Sequence, residues 1–456
     1  MLASVRQWSL RGNRQAADHQ TADRRSELSV ESADSALSAS DIEQQMSPTL
    51  SDATSDSQQS IDHPPVLNDE QLAKVAELRE RLGAEVLAAT PLFDDDLSLW
   101  RWISGWDGKW AEIVPRFLKA SNVLECLGAN ELEFEDPDSL NVYIRGLYPA
   151  CDYFTGGLMG YDKEGNCIVV QSVGKIQPKL LVHCGRVSDV FRLSVLEAAM
   201  TLKLIKKQER NRGKQLGIVL ILDLEGLCMD HIVPSTIKVY MNLLRLLQDM
   251  FPDIAQKIYV VNAPSLFASA FNMVKPAIAE KSRQKVQVLS HSYDEVLCRE
   301  LGAENVLSHW RGEKVVERGD ATTGTLRMGG IPPEHLRYSP DANRHHVGDG
   351  ELTRLVVPAR NRRTVDVECA AAGQRIRWFF HSNGDVDFSV QLGDLVVVPK
   401  FRLHTDHVPE YNEVIAKQPG TYTLVFDNSF STFFSKEVRF SVIVDNGEQV
   451  DEAEEA

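Results

Sequence analysis

Residues 217–226 read GIVLILDLEG, a short apolar run that stops at two acids, Asp223 and Glu225. Five apolar residues in a row are far short of the roughly 20 that a membrane-spanning helix needs, and the run reads as a strand. Runs of the same kind stand at 167–173, 257–261 and 285–289. Between and beyond them, residues 187–207, 235–250, 266–279 and 293–301 carry apolar positions at helical spacing. Strands alternating with helices are the mark of βαβ units, so an α/β domain with a mostly parallel sheet and right-handed crossovers is expected.

Moving toward the N-terminus, the pattern becomes purely helical. Leu72, Val75, Leu78 and Leu82 recur at helical spacing behind the acidic start Asp69-Glu70. Leu97, Trp100 and Ile103 are expected on one helix face, and Ile113, Phe117 and Leu118 on the next. Residues 1–66 are rich in Ser, Asp, Gln and Ala and poor in large apolar groups. They read as a disordered tail, in spite of an arginine-bearing start faintly like a transit peptide. Moving toward the C-terminus, the helices stop. Turn formers dominate 313–350, read as a linker, and β-branched and aromatic runs at 364–368, 374–380, 386–392, 422–426 and 438–444 read as an all-β sandwich. The expected order is a tail (1–66), a helical subdomain (67–150), the α/β domain (151–312), a linker (313–350), a sandwich (351–445) and an acidic tail (446–456).

The 456-residue chain has a net charge of −16, which disfavours nucleic acid as a partner. Its seven cysteines form no CxxC pair and are odd in number, which argues against a disulfide framework and fits a reducing cytoplasm. None of the common nucleophile, phosphate-loop, zinc-protease or kinase motifs is present. Asp223 sits where α/β enzymes place catalytic acids, but turn capping by Asp223 and Glu225 is the favoured reading. His404 and His407 lack an obvious third metal ligand. A non-enzymatic protein with no cofactor and no metal is expected.

Four blocks, in order, resemble the CRAL-TRIO lipid-transfer family: YFTGGLMGYD at 153–162, LDLEGL at 222–227, NAP at 262–264 and VKP at 274–276. Three more, RIRWFF at 375–380, DVDF at 385–388 and GTYTLVFDNS at 420–429, are similar to the GOLD domain. The resemblance implies a CRAL-TRIO-type sheet with a helical N-terminal subdomain and a mobile lid helix, followed by a GOLD-type sandwich. It implies a pocket between sheet and lid, holding a phospholipid, tocopherol or squalene-like ligand. Val170, Val219, Ile221, Tyr259 and Val261 are the expected pocket face of the sheet. The expected lid stripe is Leu266, Phe267, Ala270, Phe271 and Val274, a pattern that would equally suit a plain core face.

On headgroup choice the resemblance is split. Lys275 matches a lysine that contacts inositol phosphate in phosphatidylinositol-transfer relatives, but Asn242 stands where those proteins have glutamate. Arg101 is retained from an arginine-rich motif that here continues with Ser104 and Trp106. The basic stretch Lys203, Lys206, Lys207 and Arg210 is the expected site of transient membrane docking, by attraction to anionic lipid, with a solvated helix face as its rival. The GOLD-like part implies Golgi or other trafficking proteins as partners, and a cytoplasmic protein peripheral to such membranes. A trafficking adaptor without lipid transfer is the alternative.

Overall fold

The computed structural model describes residues 67–445, so both expected tails lie outside the described residues. Helix α1 (Asp69–Leu82) begins at Asn68, whose side chain accepts the Gln71 amide at 2.9 Å. The Gln71 side chain accepts the Asn68 amide in return. This reciprocal cap satisfies two amides that helix geometry leaves without partners. Helices α2 (Ala84–Ala89), α3 (Asp96–Gly105), α4 (Trp110–Cys126) and α5 (Pro137–Arg145) complete the helical subdomain. Its centre is aromatic: Trp102 lies 5.5 Å from Phe93 and 5.2 Å from Phe117, ring to ring. The inward face of α3 is Leu99, Trp102 and Ile103. Leu97 and Trp100 are half-buried beside it and Leu118 is exposed, so the expected stripe was rotated.

The α/β domain holds one five-stranded sheet in the order β1 (Leu158–Tyr161), β2 (Cys167–Gln171), β3 (Ile218–Asp223), β4 (Ala255–Val261) and β5 (Val286–Val288). The first pair is antiparallel and the rest are parallel. The helices are α6 (Pro178–Leu181), α7 (Val187–Arg212), α8 (Pro234–Met250), α9 (Phe267–Val274), α10 (Glu280–Arg283) and α11 (Tyr293–Leu301). Because spatial order follows chain order, crossovers of one hand put α7, α8 and α9 on the same side of the sheet. The other side is covered by α11 and the chain after it. There Val170, Val219, Ile221, Tyr259 and Val261 pack against Tyr293, Leu297, Leu301, Trp310 and Leu326.

The start of the expected linker is part of this domain. Arg327 pairs its backbone with Gly156 at 2.9 and 3.0 Å. Its fully buried guanidinium makes a two-pronged ion pair with Glu197 at 2.9 and 3.1 Å. Gly156, from the TGG of the first family block, has φ 151, and a Cβ there would stand 2.6 Å from Arg327 Nη2. Only glycine leaves room for that approach.

The C-terminal unit is a sandwich of two antiparallel sheets, ordered β10-β9-β12-β7 and β11-β8-β13-β6. Its strands are β6 (Thr353–Val357), β7 (Arg362–Cys369), β8 (Arg375–Ser382), β9 (Val386–Leu392), β10 (Leu395–Leu403), β11 (Glu410–Ile415), β12 (Gly420–Asp427) and β13 (Lys436–Asp445). Phe380, Phe388 and Phe426 meet between the sheets at 4.8 to 5.2 Å. Three strands of this unit went unforeseen, and all three lie at sheet edges: β6 is largely exposed, β10 carries Pro399 within a register shift, and β11 is polar. Edges tolerate proline and polar residues that a central strand does not.

The sandwich is docked on the α/β domain. Phe191 of α7 meets Phe401 of β10 edge-on at 5.6 Å, and Arg186 lies over the Tyr411 ring at 4.7 Å. Ser188 donates to the Glu410 carboxylate at 2.8 to 2.9 Å, and Lys238 of α8 pairs with Asp385 at 2.9 Å.

Candidate functional site

Between the sheet and its three crossover helices lies a cavity of about 510 Å³, within the range of sites that enclose small hydrophobic ligands. Its floor is Val169, Ile218, Leu220, Leu222, Ile258 and Val260. Walls come from Val187, Val190 and Ala198 of α7 and from Ile237, Leu243, Leu244 and Leu247 of α8. Phe267, Ala270, Phe271 and Val274 of α9 form a further side.

The floor corrects the expected one. Val170, Val219, Ile221, Tyr259 and Val261 do not line the cavity; they point to the filled face described above. Side chains alternate along a strand, so a choice wrong by one residue moves every member to the opposite face. The floor residues are the immediate neighbours of the expected ones.

Helix α9 is shorter than the expected 266–279. Pro276 cannot supply an amide to the helix ladder, and the chain passes into a 3₁₀ turn at Lys275–Ala277. Phe267 and Phe271 pack with tilted rings 5.6 Å apart and touch the cavity, as do Ala270 and Val274. Leu266 is half-buried and outside the lining. The start of α9 has no side-chain cap, and the turn after the helix is tied to α8 through Gln248, which accepts from the Ala279 amide at 2.5 Å.

The headgroup positions stand apart from the cavity. Lys275 is exposed and Asn242 is half-buried, accepting from Arg245 at 3.4 Å; neither lines the cavity. Arg101 is buried and donates to the Leu216 carbonyl at 2.7 Å and to Glu209, joining α3 to the end of α7.

The basic stretch on α7 is not a free surface either. Lys203 donates to the Leu132 carbonyl at 2.6 Å and to Glu133 at 3.0 Å. Lys206 donates to the Leu92 carbonyl at 2.6 Å and to Asp95 at 2.7 Å, and Lys207 donates to the Phe134 carbonyl. These ammonium groups clamp the helical subdomain to α7, which removes them from the expected docking role. Arg210 alone of the four is exposed.

One group of polar residues in the lining stands where α7 meets residues 148 and 231 and the sandwich; Gln248, Asp253, Lys281 and Ser282 lie elsewhere around it. Glu197 is neutralised by Arg327 and its carbonyl accepts from Thr201 at 2.6 Å. His231 donates through Nε2 to the Ile176 carbonyl at 3.0 Å. Tyr148 lines the cavity with a buried hydroxyl that has no hydrogen-bond partner among the described residues, and burial pushes its phenol well above the usual range. His404, His407 and Val408, from the turn between β10 and β11, also reach the lining. His404 is held by Asp385 at 3.0 Å, and His407 packs on His183 at 4.6 Å. Sequence reasoning missed Tyr148 and the sandwich's share of the wall; nothing local in the sequence signals either contact.

Asp223 accepts from the Glu225 amide, the Asn262 side chain and the Trp310 indole, each at 3.0 Å. It is a buried structural acceptor below the filled face. Among the described residues, no group of three or more His, Cys, Asp or Glu is arranged to hold a metal ion, and no helix is long and apolar enough to cross a membrane.

The CRAL/TRIO domain profile matches residues 152–312. Protein ctg-1 of Caenorhabditis elegans is 22% identical over 362 residues, 76% of this chain and 90% of that protein. A CRAL-TRIO domain-containing protein of the same worm is 21% identical over 401 residues, 83% of this chain and 97% of that one. Protein real-time of Aedes aegypti is 26% identical over 196 residues, 42% and 30% of the two chains. The crystal structure of Sfh5 aligns with a TM-score of 0.37 at 14% identity, over 50% of this chain and 82% of that one. CRAL/TRIO domains bind hydrophobic lipids, which supports lipid binding by residues 152–312. Residues 152–312 thus match the CRAL/TRIO domain, and this segment is set between a helical subdomain and an antiparallel β-sandwich.

Proposed function

We propose that this chain is a non-enzymatic cytoplasmic carrier that sequesters one hydrophobic lipid beneath α9 and exchanges it during transient contact with a membrane. The observation that carries this reading is the cavity of about 510 Å³ between Leu220 and Phe271, whose surface is mostly that of aliphatic and aromatic side chains. A buried methylene is worth about 0.8 kcal/mol, so one lipid chain has on the order of 10 kcal/mol of hydrocarbon to hide from water. That cost excludes free diffusion of the lipid and favours exchange at a bilayer, with α9 as the moving side. An eight-residue helix with no N-terminal side-chain cap, ending at a proline turn, is the least anchored wall of the cavity.

The ligand class is a phospholipid, tocopherol or squalene-like molecule. Tyr148 borders the cavity, and its sealed, unpartnered hydroxyl becomes available to a hydrogen-bonding ligand when its neighbours move aside, a change favoured because a buried polar atom left unpaired is costly. The separation of Lys275 and Asn242 from the lining gives a phosphoinositide headgroup no support. The sandwich, GOLD-like in its motif order, is assigned docking to Golgi or other trafficking membranes and proteins.

Native mass spectrometry of the purified chain, followed by lipid extraction, tests the carrier. One bound lipid per chain is expected, and Leu220→Trp, which fills the floor, is expected to lose it together with transfer between vesicles. Wild-type protein that carries no lipid and takes none up from vesicles overturns the reading.

A further inference from the structure

The sandwich exposes an aromatic tip that the packing of the fold does not use. Phe433 is 83% exposed and Phe434 74%, whereas Phe380, Phe388 and Phe426 of the same unit are buried. Both lie in the connection between β12 and β13. That connection is pinned: buried Asn428 donates from Nδ2 to the Phe434 carbonyl at 2.9 Å and to the Val357 and Pro358 carbonyls at 3.2 Å. The Ser431 hydroxyl donates to the same Phe434 carbonyl at 2.9 Å. The two rings are thus held outward by an ordered turn.

The same turn rests on the connection between β6 and β7. The Arg360 amide donates to the carbonyls of Asn428 and Ser431, both at 3.1 Å, and the Asn428 amide donates to the Asn361 carbonyl at 2.8 Å. Arg360, Arg362 and Arg363 are exposed, and none of them forms an ion pair among the described residues. The nearby acid Asp427 is already paired with Lys400 at 2.6 Å. Arg402 lies over one face of the neighbouring, partly exposed Phe430 at 3.6 Å.

We propose that the tip formed by Phe433, Phe434, Arg360 of the turn and Arg362 and Arg363 at the start of β7 docks this protein on anionic phospholipid bilayers, the rings entering the interface and the guanidinium groups meeting lipid phosphates. Charge complementarity selects this occupant. The chain as a whole carries −16, but at physiological salt charges beyond about 8 Å are screened, so three unpaired arginines act locally. Paired aromatic and basic groups at one edge are the chemistry of interfacial binding. The proposal rests on the membrane contact assigned above and moves it from α7, whose lysines are engaged, to the sandwich.

Sedimentation of the 456-residue chain with phosphatidylcholine vesicles, with and without phosphatidylserine, tests it. Binding is expected only with phosphatidylserine and weakens with salt. Replacing Arg360, Arg362 and Arg363 by Gln is expected to lower affinity on the order of 100-fold. The pair Phe433→Ala and Phe434→Ala is expected to abolish binding above background while the melting temperature stays unchanged. In Phe433→Trp, emission shifts to the blue on adding the anionic vesicles. Undiminished binding of the Ala pair, or no binding of wild type, overturns the proposal. So does loss through these residues of only a protein partner or a second copy. Native mass spectrometry of the same preparations separates the two readings: lipid loading without vesicle binding removes this surface and leaves the carrier standing. Vesicle binding by lipid-free protein that takes none up does the reverse.

Discussion

The two faces of the central sheet are built from the same strands, one residue apart, and they are finished differently. On one face Ile221 and Tyr259 are covered by Leu297 and Trp310 with nothing between. On the other, Leu220 and Ile258 look across a void of about 510 Å³ to α8 and α9. Strand alternation makes both faces apolar; what covers them decides which is core and which is container. The filled face should therefore answer to stability measurements and the hollow one to ligand measurements.

The largest break is expected from Trp310→Ala. It removes a fully buried ring and takes the indole donor from Asp223, at a cost of about 3 to 5 kcal/mol, read as a lowered urea midpoint. The sharpest comparison is between neighbours. Ile221→Ala is expected to cost about 2 to 5 kcal/mol, because its site is close-packed. Leu220→Ala enlarges a space that already exists, so roughly 1 kcal/mol is expected, with lipid retention changing more than stability. Equal costs for the pair would remove the distinction between the faces.

The run at 217–226 made the sheet legible because five apolar residues in a row leave no face for water. For the same reason it hid which face is hollow. Parity needed the strand order, and order follows from the packing of α7, α8 and α9 together. The stripe of α9 was legible and its end was written in Pro276. The lysines of α7 were misread because their partners are backbone carbonyls of Leu92, Leu132 and Phe134, brought in by folding. Edge strands β6, β10 and β11 lack the two-sided pattern that marks a strand.

The hollow face has a third wall borrowed from the sandwich, and a titrating carboxyl lies in the interface that holds it. Burial pushes Glu410 up to about 7, with the Arg186 guanidinium opposing that rise. A raised acid gives stability that is present in full below its ordinary value near 4.5 and is lost as pH climbs through about 7. The unfolding free energy is thus expected to fall between pH 5 and pH 9 by about 3 kcal/mol from this group, read as a lowered melting temperature. Glu410→Gln, which keeps a hydrogen-bonding oxygen for Ser188, is expected to flatten that slope; an unchanged slope would assign it to other groups.

The smallest effect on stability and the most selective on function is expected at Tyr148. Its hydroxyl is buried without a partner, so Tyr148→Phe removes an unmet desolvation cost and should leave the empty protein unchanged or up to about 1 kcal/mol more stable. A ligand that hydrogen-bonds this hydroxyl would bind the variant more weakly, and a pure hydrocarbon such as squalene would not. Competition between a hydroxyl-bearing lipid and a hydrocarbon of similar volume, run on both proteins, separates these cases. A shift of preference toward the hydrocarbon in the Phe variant makes Tyr148 the polar anchor of the hollow face. Parallel losses for both ligands would mean that the hydroxyl faces no ligand and the cavity selects by volume alone.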